Sequence, residues 1–289
     1  MTWVNAAVQG LLLGGLYALV AAGLSFVFGV MRIVNLAHGV LAVVAAYLSI
    51  LVGEQLGWHP FLTLVLVVPA MALVGYVLQR GLLDRALRGG ELPPLLVTFG
   101  LAVVLQNLLL EQFSADSQRL AVGELATASI RITDGLAIGW FPLLAAVTGV
   151  LVIVGLGQFL ARTRTGRAMR ATSDDQEAAQ LMGIDNRRLY ALATAIALGT
   201  VAIAGVFLGA RSTFDPGTGA TTLIFAFEAV IIGGLGSLWG TLLGGIVLGV
   251  AQNVGAAIDP AYGVLAGHLV FLVILAGRPR GLLPAAVAR

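Results

Sequence analysis

Arg162–Arg188 reads RTRTGRAMRATSDDQEAAQLMGIDNRR and is the longest polar interval in a chain that is otherwise almost wholly apolar. With apolar runs of membrane-spanning length on both sides, it must lie in water between two membrane-buried halves. Inside it, Ala171, Ala178, Leu181 and Met182 fall on one helical face, with Asp174, Asp175, Gln176 and Gln180 around the rest. That spacing predicts one short amphipathic helix lying across the mouth of a helix bundle, with Ser173 as its N-cap.

Composition sets the solvent for everything else. Hydrophobic residues make up 59% of the 289 residues, charged residues 10%, and mean hydropathy is +0.99. No soluble core of that size hides so much apolar surface, so the chain is expected to be all-α, a polytopic membrane protein forming a single transmembrane domain over residues 1–289. Cysteine is absent, which excludes disulfides and thiolate metal sites. Lysine is absent too, and an ordinary phosphate-binding P-loop needs its lysine to reach the β- and γ-phosphates. ATP, if it powers this chain, must be hydrolysed on another polypeptide.

Apolar runs fall near 6–30, 33–52, 60–79, 93–112, 140–161, 189–210, 221–235, 238–255 and 262–277. The run at 221–235 is short and the one at 33–52 opens with polar residues, so eight full spans and a partial one fit equally well. With the N-terminus outside, thirteen of the sixteen arginines fall on one face of the membrane: Arg32, Arg80, Arg85, Arg88, Arg162, Arg164, Arg167, Arg170, Arg187, Arg188, Arg278, Arg280 and Arg289. Arg119, Arg131 and Arg211 fall on the other. This bias places the Arg162–Arg188 interval in the cytoplasm. The first run has no basic stretch before it and no clear cleavage site, so it is expected to remain as a helix.

Other features qualify individual spans. Gly10, Gly14, Ala18 and Ala22 recur every four residues, a spacing that lets two helix backbones approach closely in lipid. Pro69 sits inside a run, Pro93-Pro94 starts another after the mixed-sign loop Arg80–Glu91, and the outer interval 113–139 carries Glu124, Arg131 and Asp134. Ile130-Arg131-Ile132 alternates as a short strand would. Tyr190–Ala210 is rich in Ala and Gly and predicts a tightly packed central helix.

Two further stretches carry polar or glycine-rich breaks. Asn35 and His38, within Phe28-Gly29-Val30-Met31-Arg32-Ile33-Val34-Asn35-Leu36-Ala37-His38-Gly39, stand three apart on one helical face. We read them as bonding to backbone and locking a broken helix, with contact to a transported solute as the alternative. In Glu228–Gly245, Gly233-Gly234 interrupts the apolar run, and Gly236, Gly240 and Gly244 form a small-residue stripe. A broken helix here fits a transporter core, where unwound backbone lines a cavity. Glu228 is the one acid well inside an apolar run; a role in transport and a role as a structural partner near the break both remain open. His59 beside Pro60, and His268 on an apolar face, have weaker claims. No HExxH spacing or paired intramembrane acids occur, so neither a metal site nor a catalytic centre is expected.

Several of these stretches resemble one family. Glu177-Ala178-Ala179 followed by Gly183-Ile184 resembles the EAA-and-glycine loop of ABC-importer permeases, which docks on the ATPase subunit. The flanking Thr165–Ala171 and Leu181–Ile184 resemble, more narrowly, the branched-chain amino acid permeases of the LivH type. On that loop alone, a solvated connector whose arginines fix topology explains the residues equally well. FGVMRIVN with AHG at 28–39, GGLGSLWGTLLGG at 233–245, and the tail Gly277–Pro284, where Pro284 replaces an expected glycine, resemble the same family. The resemblance implies that Arg167, Glu177, Ala178, Ala179 and Gly183 couple the chain to an ATPase. It implies that Asn35, His38, Gly39, Glu228, Gly233, Gly234 and Gly236 belong to the translocation path or its helix breaks.

The implied setting is a bacterial inner membrane, with a LivM-type second permease, two ATPase subunits, a periplasmic substrate-binding protein and membrane lipid as partners, and no nucleic acid. This chain would bind no cofactor; ATP and Mg would sit on the ATPase subunits. The competing class is an ion-coupled secondary transporter or channel for small polar solutes, which usually needs more buried charge than Glu228 supplies.

Overall fold

The computed structural model describes residues 2–90, 92–133 and 136–283; Glu91, Asp134, Pro284 and Arg289 lie outside them. The elements in order are α1 (Thr2–Met31), α2 (His38–Leu56), α3 (Pro60–Leu78), α4 (Asp84–Ala86), α5 (Leu92–Phe113), β1 (Ser129–Thr133), β2 (Leu136–Gly139), α6 (Trp140–Arg162), α7 (Arg164–Asp174), α8 (Gln176–Leu181), α9 (Asn186–Arg211), α10 (Thr218–Gly233), α11 (Leu238–Ile258) and α12 (Tyr262–Gly277). Among the described residues, seven helices are long and apolar enough to cross a membrane, and α10 and α12 are shorter apolar helices. The architecture is that of an all-α polytopic membrane protein, with one antiparallel hairpin, β1–β2, in its outer loop.

α1 is the axis of the bundle, packing against α6, α9, α10 and above all α11. Gly10 and Gly14 make that contact possible: a Cβ on Gly10 would lie 2.8 Å from the Gly249 oxygen, and one on Gly14 would lie 2.6 Å from the Gly245 oxygen. The four-residue spacing of small residues thus permits the most extensive helix contact in the fold. The second crossing of note joins α3 to α9, where Gly75 meets Thr194. Around this core, Leu66, Leu73, Phe99, Val103, Leu151 and Leu272 stay exposed, as a surface facing lipid or a partner requires.

α3 continues through Pro69 without stopping and runs into a π-helical turn, Gln79–Leu83, before α4. Gln79 is buried there and its oxygen accepts from Thr194 Oγ1 at 2.8 Å, holding the irregular turn to α9. The stretch Arg80–Glu91, expected as a loop, is therefore largely helical up to Gly89.

The chain also doubles back at the end of α1. Arg32 takes a left-handed conformation (φ 54°), ending the helix, and residues 32–37 are non-helical. His38 then starts α2 with its ring against the carbonyl of Val20, which lies about 18 Å back along α1 at 1.5 Å per residue. α2 therefore begins about midway along α1 rather than at its inner end, beside the first turn of α10, where Gly39 meets Gly219.

Candidate functional site

The polar interval folds as two helices, α7 and α8, where one was expected. Thr163 caps α7, accepting from the Gly166 amide at 2.9 Å, and Asp175 caps α8, accepting from the amides of Glu177 at 3.0 Å and Ala178 at 2.9 Å. Ser173 is not the N-cap. It lies in the last turn of α7, and its hydroxyl donates to the Gly29 carbonyl at 2.7 Å, tying the loop to the inner end of α1. An aspartate two residues later simply presents a better-placed acceptor for the free amides of α8.

The expected apolar face is corrected as well. Met169 and Ala179 are buried, but Leu181 is 89% exposed and Met182 82% exposed. Six residues cannot bury a full helical face. α8 is instead fixed at its ends: Asn186 Nδ2 donates to the Gln176 carbonyl at 3.0 Å, and Thr172 Oγ1 donates to Asn186 Oδ1 at 3.1 Å. After Leu181 the chain turns at Gly183 (φ 83°), a left-handed position that a side chain would strain, and the Ile184 amide returns to the Ala179 carbonyl at 3.1 Å. Glu177 and Ala178 are exposed, whereas Ala179 anchors the helix. Arg167 is exposed on α7 and donates to the Arg162 carbonyl at 2.9 Å. Beside α8 a cavity of about 600 Å³ opens between Asp84, Leu87 and Arg88 on one side and Gln176, Gln180 and Tyr190 on the other.

The second group of residues lies deeper. Asn35 and His38 are buried and both bond to backbone: Asn35 Oδ1 accepts from the Ala37 amide at 3.0 Å, and His38 Nε2 donates to the Val20 carbonyl at 2.8 Å. Gly39 packs on Gly219 so closely that a Cβ would lie 2.8 Å from the Leu223 amide nitrogen. These residues hold the broken entrance to α2 between α1 and α10.

Glu228 is 4% exposed, and its Oε1 is paired with His268 Nδ1. His268 thus gives the intramembrane acid its partner, a role its apolar surroundings concealed. The other carboxylate oxygen, Oε2, is buried with no protein partner. Nearby, Tyr17 donates to Gln252 Oε1 at 2.6 Å, and the Tyr17 and His268 rings both pack on Phe225, with centroids 5.2 and 6.1 Å away. Tyr17 and Gln252 were not singled out in the sequence; a tyrosine and a glutamine inside apolar runs were the available signal.

The break between α10 and α11 covers 234–237. Gly233 and Gly240 pack backbone to backbone, and Gly236 (φ 77°) comes within Cβ contact of Gly29, 3.1 Å from its Cα. The tail completes it: the Leu282 amide donates to the Ile232 carbonyl at 2.8 Å and the Leu283 amide to the Gly233 carbonyl at 2.9 Å. Carbonyls released by the break are satisfied from outside α10, as a helix end buried in protein demands. The break, the α7–α8 loop and α1 therefore form one connected unit, joined through Gly29.

A predominantly helical membrane bundle with broken helices and an exposed loop pinned at both ends has the architecture of a transport component. The profile of the family described as "Branched-chain amino acid transport system / permease component" matches residues 6–276, and the chain belongs to that family. It is 34% identical to the high-affinity branched-chain amino acid transport system permease protein BraD of Pseudomonas aeruginosa, over 96% of this chain and 94% of that protein. It is 28% identical to the corresponding LivH protein of Escherichia coli strain K12, over 95% of this chain and 93% of that one. The fructose import permease protein FrcC of Rhizobium meliloti is 30% identical over 75% of this chain and 61% of its own length. The chain is a multi-pass inner-membrane permease component of an ABC importer.

Proposed function

We propose that this permease carries branched-chain amino acids, driven by ATP hydrolysed with Mg on two ATPase subunits that grip α8, and paired with a second, LivM-type permease. The similarity to BraD and LivH over nearly the whole chain supports the amino-acid reading, although FrcC is also similar and is named for a sugar. Selection among amino acids then rests mainly with a periplasmic binding protein. The outer cavity of about 480 Å³ beside His59, Glu124 and Trp140 offers it a docking surface.

The observation that carries the coupling is the contrast within α8. Its ends are pinned by Asp175, Asn186 and Gly183, yet Leu181 and Met182 stand in water. Exposed apolar side chains on a rigid support are what a protein partner buries. ATP-driven movement of that partner would bias the bundle between outward and inward openings through α7 and its bond to Gly29. The chain itself supplies no ATPase chemistry and binds no cofactor in this scheme.

Leu181→Asp with Met182→Asp tests it. Neither side chain packs within the chain, so membrane insertion is expected to be unchanged while co-purification of the ATPase subunits and leucine uptake are lost. Uptake at the wild-type rate in that variant would overturn the coupling role. Arg167→Glu, or Gly183→Leu, is expected to leave the complex inserted but ATP hydrolysis uncoupled from uptake.

A further inference from the structure

A cavity of about 730 Å³ lies on the cytoplasmic side between the end of α1, α7 and the α10–α11 break, apart from the α8 groove. Three arginines, Arg32, Arg167 and Arg170, line it with a single acid, Asp174, and Arg167 already donates to the Arg162 carbonyl. Among the described residues none of these arginines is ion-paired, since the one such pair there joins His268 to Glu228. The cavity therefore carries a formal excess of two positive charges, by three cations against one anion.

Its inner end differs from its rim. Ser25, 0% exposed, lines the cavity, and its hydroxyl has no protein partner. Ser25 lies about 10 Å along α1 from Arg32 at 1.5 Å per residue, so the space extends well into the apolar layer. Phe28, Leu160 and Leu235 also line it.

We infer that this cavity binds the phosphate-bearing headgroup of an anionic phospholipid from the cytoplasmic leaflet, with Arg32 and Arg170 on the phosphate and the Ser25 hydroxyl on the glycerol oxygens. Basic pockets between spans on this face suit anionic lipid headgroups. An amino acid in transit is a zwitterion and does not match a site with excess positive charge, and a free phosphate has no use for the apolar walls. A headgroup there would brace α1, the coupling loop and the broken helix against one another. The inference is independent of which solute the permease carries.

Thermal unfolding of the purified full-length permease in neutral detergent tests it, with short-chain phosphatidylglycerol, short-chain phosphatidylcholine, inorganic phosphate or leucine added. Phosphatidylglycerol near saturation is expected to raise the midpoint by about 3 °C, the others by much less. Arg32→Gln with Arg170→Gln is expected to raise at least ~10-fold the phosphatidylglycerol concentration that gives the same shift, the size of one or two lost charge-assisted hydrogen bonds. Arg80→Gln with Arg85→Gln, the same charge loss outside the cavity, is expected to keep it. If the first pair fails to fold, Ala171→Trp, which fills the exposed side of the cavity without changing charge, is expected to remove the selectivity. Equal stabilisation by phosphatidylcholine, phosphate or leucine would overturn the inference, as would an equal loss in the Arg80/Arg85 pair.

Discussion

Glu228 shows how much one residue's meaning depends on a neighbour far off in sequence. An acid inside an apolar layer requires a partner, and His268, forty positions away, provides it from α12. Removing the imidazole alone would strand a buried carboxylate whose Oε2 already lacks a protein partner, a costlier state than removing both groups. His268→Ala is therefore expected to lower stability by about 3 kcal/mol. The double variant His268→Ala/Glu228→Gln should recover about half of that, and a double-mutant cycle on thermal melts checks it. Glu228 itself was legible in the sequence, because acids are rare in such runs. Its pairing was not, because helical pattern fixes which face a residue occupies but not which helix comes to cover it. Ser173 teaches the converse: its type suited a cap, but the helix started two residues later than expected, and the hydroxyl found Gly29 instead.

At the scale of elements, glycine positions decide which helices touch. The span boundaries expected from apolar runs lie within a few residues of the observed ends for most helices, since burial and length constrain them strongly. The start of α2 departs from that reading. The apolar run begins at residue 33, but the chain spends residues 32–37 returning along α1 before it coils again. Only the polar pair Asn35 and His38 hinted at the break. Close backbone contacts make such joints intolerant. A Cβ at Gly39 or Gly233 would run into main chain of α10 or α11 and cannot be relieved by a side-chain rotation. Gly39→Ala and Gly233→Ala should each cost roughly 3 kcal/mol, the upper range for overpacking. Gly100→Ala on α5, with open space around it, should be neutral or slightly stabilising. Melting of the three purified variants in the same detergent distinguishes local crowding from any general sensitivity to glycine loss.

For the molecule as a whole, arginine placement predicts an orientation that the chain is unusually convenient for testing, because it contains no cysteine. Gln180 and Ser117 are both exposed, on α8 and in the outer interval respectively. Gln180→Cys is expected to react with a membrane-impermeant maleimide only in inside-out vesicles, and Ser117→Cys only in right-side-out ones. Reaction of both from the same side would contradict the positive-inside assignment. The helical make-up of the bundle was readable from hydropathy; the order of packing around α1 was not, because every span is apolar enough to lie anywhere in it.

The bonds from Leu282 and Leu283 to the α10 carbonyls also have a temporal side. A ribosome delivers α10 long before those two amides exist, so the nascent helix must wait with its terminal oxygens served by water or the insertion machinery. This joint of the permease is then sealed only when translation has passed α12, later than any of the helices it connects, which makes it a natural point for quality control to inspect.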